Sequence, residues 1–352
     1  MKKVRIAAIL LLILFSTVSF TGCTLISENR QVYFYERPAI GFTVKDEVKT
    51  DVDLEMKSRL NLTAGNGVIR ITPYGGEKLQ VIEKKRLTGP SSRKALELML
   101  EKYKLDIERD SREVKLDNNP KEKQKPLFSL IIDIELKVPE AVKTVNIVSK
   151  SGEIEVSGLK GKDSLNLKLD KGSIEVDNCE ADLIFSAVTS GNLDVGNSGG
   201  TGSYKCGRGN IRLQNMKGNI ELKSLSGDTV IENAEGRLEC DISAGSLTIG
   251  ESRISKDSNL YTSYGDIKAD LNNLDTEGKY TIKASKGSIR LKLPETTGWS
   301  LLAESTKGTI MDNLGLAAGV LKTSPSGEVY GDVHGGGPLI DAYIDMGDII
   351  LH

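Results

Sequence analysis

The stretch Gly152-Glu153-Ile154-Glu155-Val156 contains the pattern that decides the fold: a glycine, a polar residue, and two aliphatic residues on either side of a variable one. The pattern recurs to the end of the chain, for example at Gly172-Ser173-Ile174-Glu175-Val176. Successive glycines of the pattern are 20, 19, 18, 18, 18, 20, 22, 21 and 39 residues apart, and the last step is about two periods. A period of this length indicates stacked repeats. The glycines are Gly152, Gly172, Gly191, Gly209, Gly227, Gly245, Gly265, Gly287, Gly308 and Gly347.

Each copy alternates apolar and polar residues, so its aliphatic side chains point to one side of a short strand. Stacking the copies about 4.8 Å apart buries these side chains in one continuous column. Half-step copies at Gly218 and Gly236 predict two similar strands in each middle coil. The predicted fold is all-β: a single-stranded parallel β-helix (β-solenoid) of about ten coils, roughly 50 Å long. The polar residue after each glycine is expected to hydrogen-bond within its own turn.

The N-terminal third lacks this period, and residues 55–139 are predicted to form a small α+β capping region. It combines alternating strand patterns, a hairpin at Asp110-Ser111, and a helix from Ser92 to Tyr103 with one apolar face. The helix is expected to cover one end of the solenoid domain, residues 140–352. At the other end, the strand at residues 348–351 is expected to need a partner.

The first residues resemble a bacterial export signal. Lys2, Lys3 and Arg5 precede an apolar run at residues 6–20, which is too short to span a membrane comfortably. Phe20-Thr21-Gly22-Cys23 resembles a lipobox, with Phe20 where leucine is usual. The resemblance implies a lipoprotein signal peptide at residues 1–22 and diacylglycerol on the Cys23 sulfur. Residues 23–54 are then predicted to be the lipid anchor and tether. A plain secretory signal or an uncleaved anchor is the alternative.

Composition narrows the functional classes. The net charge of −2 and the pI near 6.0 argue against nucleic acid as a partner. Besides Cys23 the chain has Cys179, Cys206 and Cys240, whose spacing fits no metal motif. We expect these three to be small buried residues, with a disulfide pair as the alternative.

With its parts in this order, the chain resembles the DUF4097 family of proposed adhesins, or β-strand repeat proteins. The match rests on residues 67–71 (GVIRI), the strand that ends in Lys137-Val138-Pro139, and the glycine repeats from Ser151 to Ile349. The resemblance implies a parallel β-helix on the cell envelope and offers no catalytic motif to transfer.

Calcium binding and polysaccharide cleavage are two functions to weigh against a role as a scaffold. Calcium-binding β-rolls require Gly-Gly-x-Gly-x-Asp, but Tyr204 occupies the aspartate position of Gly199-Gly200-Thr201-Gly202-Ser203-Tyr204. A polysaccharide-cleaving β-helix would gather three or more carboxylates beside a basic residue in a groove, whereas a solvated surface would spread its charges evenly. The outward charged residues are Glu153, Glu155, Glu175, Asp177, Asp194, Glu221, Arg212, Lys223 and Lys268.

The two histidines, His334 and His352, have no nearby nucleophile in sequence, and the basic loop at residues 121–125 is interpreted as solvated.

The sequence therefore predicts a non-enzymatic envelope lipoprotein, exported and held on the extracytoplasmic face of the membrane by its lipid. Cys23 is the predicted lipidation site, and no catalytic residue, metal or cofactor is predicted. The expected partners are the membrane, through the anchor, and an envelope protein or polysaccharide, with no nucleic acid. The alternatives are a polysaccharide-active β-helix enzyme and a partner of an envelope-stress regulatory system.

Overall fold

The computed structural model describes residues 41–55, 57–110, 112–119, 127–316, 320–324 and 327–352. The predicted signal peptide, Cys23 and the basic loop at residues 121–125 lie outside these ranges. Among the described residues, no helix combines the length and apolar character needed to cross a membrane.

The described chain is almost entirely β-structure, which confirms the predicted fold class. The N-terminal elements are β1 (Phe42–Val52), β2 (Arg59–Tyr74), β3 (Leu79–Gly89), helix α1 (Arg93–Leu100), β4 (Asp106–Arg109), β5 (Glu113–Asn118) and β6 (Ser129–Pro139). The next strands are β7 (Thr144–Ser157), β8 (Lys162–Asp177), β9 (Glu180–Gly196), β10 (Gly199–Arg208), β11 (Ile211–Gln214), β12 (Ile220–Ser226), β13 (Thr229–Glu232), β14 (Glu235–Gly236), β15 (Leu238–Ala244) and β16 (Leu247–Ile249). The last are β17 (Arg253–Ile254), β18 (Ser258–Tyr264), β19 (Ile267–Asp270), β20 (Asn273–Leu274), β21 (Lys279–Lys292), β22 (Trp299–Lys307), β23 (Ile310–Asp312), β24 (Leu321–Thr323), β25 (Val329–Val333) and β26 (Leu339–Leu351).

Successive coils pair in parallel, with their corner glycines in register. Gly152 pairs with Gly172 and Gly172 with Gly191, and the strand segments on both sides of each glycine pair as well. In the middle coils the two segments are separate strands, such as β11 and β12, as the half-step copies predict. A short third side pairs β14, β17 and β20. The interior of each coil is filled by the inward aliphatic residues of both segments.

In the middle coils, the polar residue after the corner glycine bonds to the next coil. The Asn192 side-chain oxygen accepts the backbone N–H of Asn210 at 3.0 Å, and Asn210 in turn accepts that of Asp228 at 3.0 Å. Asp228 accepts the N–H of Ser246 at 2.9 Å. The prediction of bonds within the same turn is therefore wrong for these residues, because parallel stacking presents the neighbouring coil's N–H at hydrogen-bond distance.

An asparagine ladder, which the period alone does not reveal, lines a second corner. Asn197, Asn215 and Asn233 have φ values of 50°, 53° and 56°. This left-handed backbone suits asparagine better than most residues. Asn215 donates to Asn197 at 2.8 Å and Asn233 donates to Asn215 at 3.0 Å. Each side chain thus ties its corner to the next.

The array begins earlier than the predicted boundary at residue 140. Strand β2 pairs in parallel with β7 from Arg59 to Ile71, and Gly67 stands opposite Gly152. The first coil is therefore built by residues 59–74. On its outer side, β5 and β6 continue the parallel pairing with the two halves of β2. Residues 79–139 are inserted between the first coil and the second.

Strands, and not the predicted helix, pair with the N-terminal end of the array. Strand β3 is antiparallel to β6, and β1 is antiparallel to β3. Helix α1 begins after Ser92, whose hydroxyl caps it, and contacts β1 and β3. Residues 42–52, which the sequence assigned to the tether, form β1. Most side chains of this strand are exposed, so the apolar alternation that would reveal it is weak.

The last strands do not stack in the order in which they occur in the sequence. Strand β26 lies between β21 and β22, with Gly347 opposite Gly287, so the last segment of the chain is an internal coil. The expectation that residues 348–351 need an outside partner is wrong, because β21 and β23 pair with this segment. Beyond β22 the array continues into the antiparallel strands β25 and β24.

Candidate binding surface

The array has two broad outward surfaces. We call the surface made by the segments before the corner glycines the A face, and the surface made by the segments after them the B face. Because the pairing is parallel and in register, equivalent residues of successive coils form columns about 4.8 Å apart. The central column of the A face contains, in spatial order, Val148, Lys168, Ala187, Lys205, Lys223, Asp241, Tyr261, Lys283, Tyr343 and Glu304.

Outward aromatic rings on the A face lie beside lysines. The Lys168 and Lys205 ammonium groups are 5.7 and 5.4 Å from the centre of the Phe185 ring. The Lys286 ammonium is 5.4 Å from the centre of the exposed Tyr264 ring. A cation at this distance is attracted to the face of the ring. The A face therefore offers apolar and cationic groups together.

Two further tyrosines share one hydrogen-bonding arrangement. The Tyr261 hydroxyl accepts from Ser263 at 3.0 Å and lies 3.3 Å from the Ser285 hydroxyl of the next coil. The Tyr343 hydroxyl donates to Asp345 at 2.6 Å and lies 3.2 Å from the Thr306 hydroxyl of the next coil. Each hydroxyl is thus held by the residue two positions further along its own strand and by the coil beyond.

The predicted outward charges are divided between the two faces. Glu221 and Lys223 lie on the A face and form an ion pair at 2.9 Å; the hydrogen bond from Lys223 lowers the pKa of Glu221. Glu153 and Asp177 lie on the B face, where Ser173 donates to Glu153 at 3.3 Å and Asn197 donates to Asp177 at 2.7 Å.

The B face also holds a row of acids that single copies of the repeat do not reveal. Glu155, Glu175 and Asp194 stand side by side in successive coils, with Arg70 before them and Arg212 after them. We call these three the acidic row. Arg70 binds Glu155 through two nitrogen atoms, at 2.7 and 3.2 Å. The charges are therefore gathered more closely than the even spread expected of a solvated surface. Lys268 follows in the same column, opposite Arg290.

The three described cysteines are free and buried, as predicted for small interior residues. Burial raises the pKa of Cys179 and of Cys206 to about 11, and that of Cys240 to about 12. Thiols with such pKa values stay protonated at neutral pH and are poor nucleophiles. These residues fill the interior.

The segment that resembles a calcium-binding repeat (residues 199–204) and the two histidines make contacts within the fold. Tyr204 is fully buried, and burial raises its pKa, so the position where a β-roll needs a calcium ligand faces the core. The His334 ring lies 2.9 Å from the Glu295 carbonyl, and the His352 backbone N–H donates to the Leu291 carbonyl. Within the described ranges, no group of three or more His, Cys, Asp or Glu is placed to hold a metal ion.

The capping region contains a cleft of about 470 Å³ that the sequence did not indicate. Glu83 and Lys85 are almost fully buried in its wall. Asn118 donates to Glu83 at 2.8 Å, yet burial raises the pKa of this carboxyl. Lys85 is 3.6 Å from Asp46. Residues 83–86 (EKKR) of β3 are four charged residues in a row, a pattern typical of a solvated segment, so the sequence gave no sign that Glu83 and Lys85 are buried.

These features belong to a recognised class of protein. The chain is a member of the Toastrack DUF4097 family, whose model matches residues 49–253. The match covers β2, the capping insertion and the coils that follow, and it confirms the resemblance found in the sequence.

Two solved structures are similar to this chain along most of its length. One is a proposed cell adhesion protein from Clostridium sporogenes, at 13% identity, covering 88% of this chain and 99% of that chain, with a TM-score of 0.20. The other is a proposed adhesin from Bacteroides fragilis, at 12% identity, covering 87% of this chain and 97% of that chain, with a TM-score of 0.27. No curated protein matches the sequence significantly.

Proposed function

We propose that this protein is a non-enzymatic lipoprotein of the cell envelope that presents its A face to an extended partner outside the membrane. The observation that carries the proposal is the register of the coils, which repeats each outward position along a column. An extended partner can contact many equivalent positions at once, and weak contacts then add up. The paired rings and lysines of the A face supply such contacts.

The acidic row favours the alternative of a polysaccharide-cleaving enzyme. Retaining glycosidases hold two carboxyl groups about 5 Å apart, a separation that neighbouring strands also provide. Such enzymes also need one carboxyl kept protonated in an enclosed apolar site. Here Glu155 is bound by Arg70, with 32% of its side chain exposed, on an outward strand face. We therefore infer that the row is structural, with Glu155 held by its ion pair to Arg70.

Binding to isolated envelopes tests the proposal. The full chain, purified in detergent, is expected to co-sediment with cell walls of the cells that produce it. Reversing both Lys205 and Lys223 to glutamate on the A face should weaken binding at least about fivefold, since removing two exposed charge contacts costs of order 1 kcal/mol. The matched control reverses Lys268 and Arg290 on the B face. Each pair occupies adjacent coils and includes one ion-paired cation.

Three outcomes would contradict the proposal. They are absence of co-sedimentation, equal losses for the A-face and B-face variants, and release of soluble sugars from the walls. Sugar release that stops in Glu175→Gln would assign catalysis to the acidic row.

The anchor is tested by Cys23→Ala. We expect this variant to leave the membrane fraction and appear in soluble extracts or the medium, because the acyl chains would be its hold on the bilayer. Fractionation and immunoblotting measure the distribution, and Cys179→Ala is the matched control because its thiol is buried in the array. Unchanged membrane retention of Cys23→Ala would refute the lipid anchor.

A further inference from the structure

Three residues on successive coils of the A face form an aromatic, cationic, aromatic sequence. Tyr261 in β18 pairs in register with Lys283 in β21, and Lys283 pairs with Tyr343 in β26. The two tyrosines are therefore two coils apart, about 9.6 Å at the spacing of neighbouring strands. We call Tyr261, Lys283 and Tyr343 the tyrosine strip.

The strip is preorganised. Each tyrosine hydroxyl has two side-chain partners, one on its own strand and one on the next coil. The two rings therefore share one placement relative to their strands, and little side-chain freedom remains to be lost on binding. Tyr261 is 37% exposed, Lys283 is exposed and Tyr343 is half-buried, so a ligand can reach all three residues of the strip from solvent.

We propose that the tyrosine strip binds an extended β-1,4-linked glycan; this inference rests on the proposed function and names its partner. In a flat β-1,4 chain each sugar is turned over relative to the last, so the same sugar face recurs at every second residue. That repeat is close in length to the separation of two coils. The apolar face of alternate sugars can stack on the two rings. Lys283, which has only donors, can bind an oxygen of the sugar between them.

The surroundings of the strip fit a polymer better than a small molecule. The strip lies on an outward strand face, and its flanking groups are the hydroxyls of Ser263, Ser285 and Thr306 and the carboxylate of Asp345. Hydroxyls beside a ring supply the donors and acceptors that orient a sugar. Tyr261 and Tyr343 lie beyond the segment that the family model matches, so the strip is a feature of this chain's own last coils.

The test measures binding of fluorescently labelled cellohexaose and chitohexaose to the full chain in detergent, with α-1,4-linked maltohexaose as the linkage control. We expect the two β-1,4 hexasaccharides to bind and maltohexaose not to bind. Tyr261→Ala and Tyr343→Ala should each raise Kd about threefold to tenfold, the loss of one stacked ring. Phe42→Ala removes an exposed ring of the capping region and should leave Kd unchanged.

A composition-matched swap tests the spacing itself. The double variant Lys283→Tyr/Tyr343→Lys keeps two tyrosines and one lysine in the column but places the rings on adjacent coils. We expect it to lose binding as strongly as the alanine variants. Three results would overturn the inference. The swap variant could bind as tightly as the wild type, maltohexaose could bind as tightly as the β-1,4 hexasaccharides, or neither β-1,4 hexasaccharide could bind. If the protein binds cell walls but neither hexasaccharide, glycan binding by the strip is refuted and the proposed function stands. If it binds neither the walls nor the hexasaccharides, both proposals are refuted.

Discussion

Gly227→Ala is expected to destabilise the array by at least about 3 kcal/mol, a large effect for the addition of one methyl group. Gly227 has a φ of +123°, a conformation that side chains rarely adopt. A Cβ atom at this position would lie 2.0 Å from the Gly209 carbonyl oxygen. The obstacle is backbone that is itself paired in the ladder, so no side chain can turn away to make room. The strain must therefore move two coils apart or break their hydrogen bonds.

Urea denaturation followed by far-UV circular dichroism measures this effect in the full chain. We expect the transition of Gly227→Ala to move to lower urea or to split, because repeat arrays can lose coils locally. Gly250→Ala is the matched control, since its Cβ would meet only the Glu232 side chain, at 3.6 Å. Its transition should stay close to that of the wild type. Equal stability of the two variants would show that Gly227 is not at a closed corner.

Much of the fold could be predicted because its main determinants are local. A corner glycine is needed once per coil, so its spacing in the sequence gives the coil length. The inward aliphatic residues alternate within each copy, so the strands are visible as well. The predicted helix is present because Ser92 is a good N-cap and Leu96 and Leu100 fall on one buried face. Strands β4 and β5 form the antiparallel hairpin that the sequence predicts.

The remaining features depend on which coils are neighbours, which the period alone cannot specify. Equivalent copies are interchangeable in pattern, so nothing local indicates that β26 enters between β21 and β22. The sequence pattern also does not show that residues 79–139 are inserted between two paired coils, because it does not specify which copies are neighbours. The inter-coil bonds of Asn192 and Asn210 also require a neighbour to be assigned.

The candidate binding surface shows the same limit. Tyr343 belongs to the last copy in sequence, and counting copies in order would place it well beyond Tyr261. The insertion of β26 brings it to two coils away. The acidic row likewise emerges only when Glu155, Glu175 and Asp194 are set in one column. Cys23 needs no such information, because its proposed role depends on neighbours in sequence.

The order of the last coils forms both the C-terminal end of the array and the tyrosine strip. In the structure Lys286 stands opposite Met346, and Met346 stands opposite Lys307 on the next coil, and all three are exposed. Paired strands place such residues about 4.8 Å apart, within disulfide reach, whereas residues two coils apart, at about 9.6 Å, are beyond it.

The most direct measurement is therefore disulfide formation in two double variants, Lys286→Cys/Met346→Cys and Lys286→Cys/Lys307→Cys, with mild oxidation and mass spectrometry of the monomer. The buried native thiols, with raised pKa values, should not compete. We predict near-complete crosslinking of positions 286 and 346 and almost none of positions 286 and 307. Crosslinking of 286 with 307 but not with 346 would show that the coils stack in sequence order and that β26 does not lie between β21 and β22.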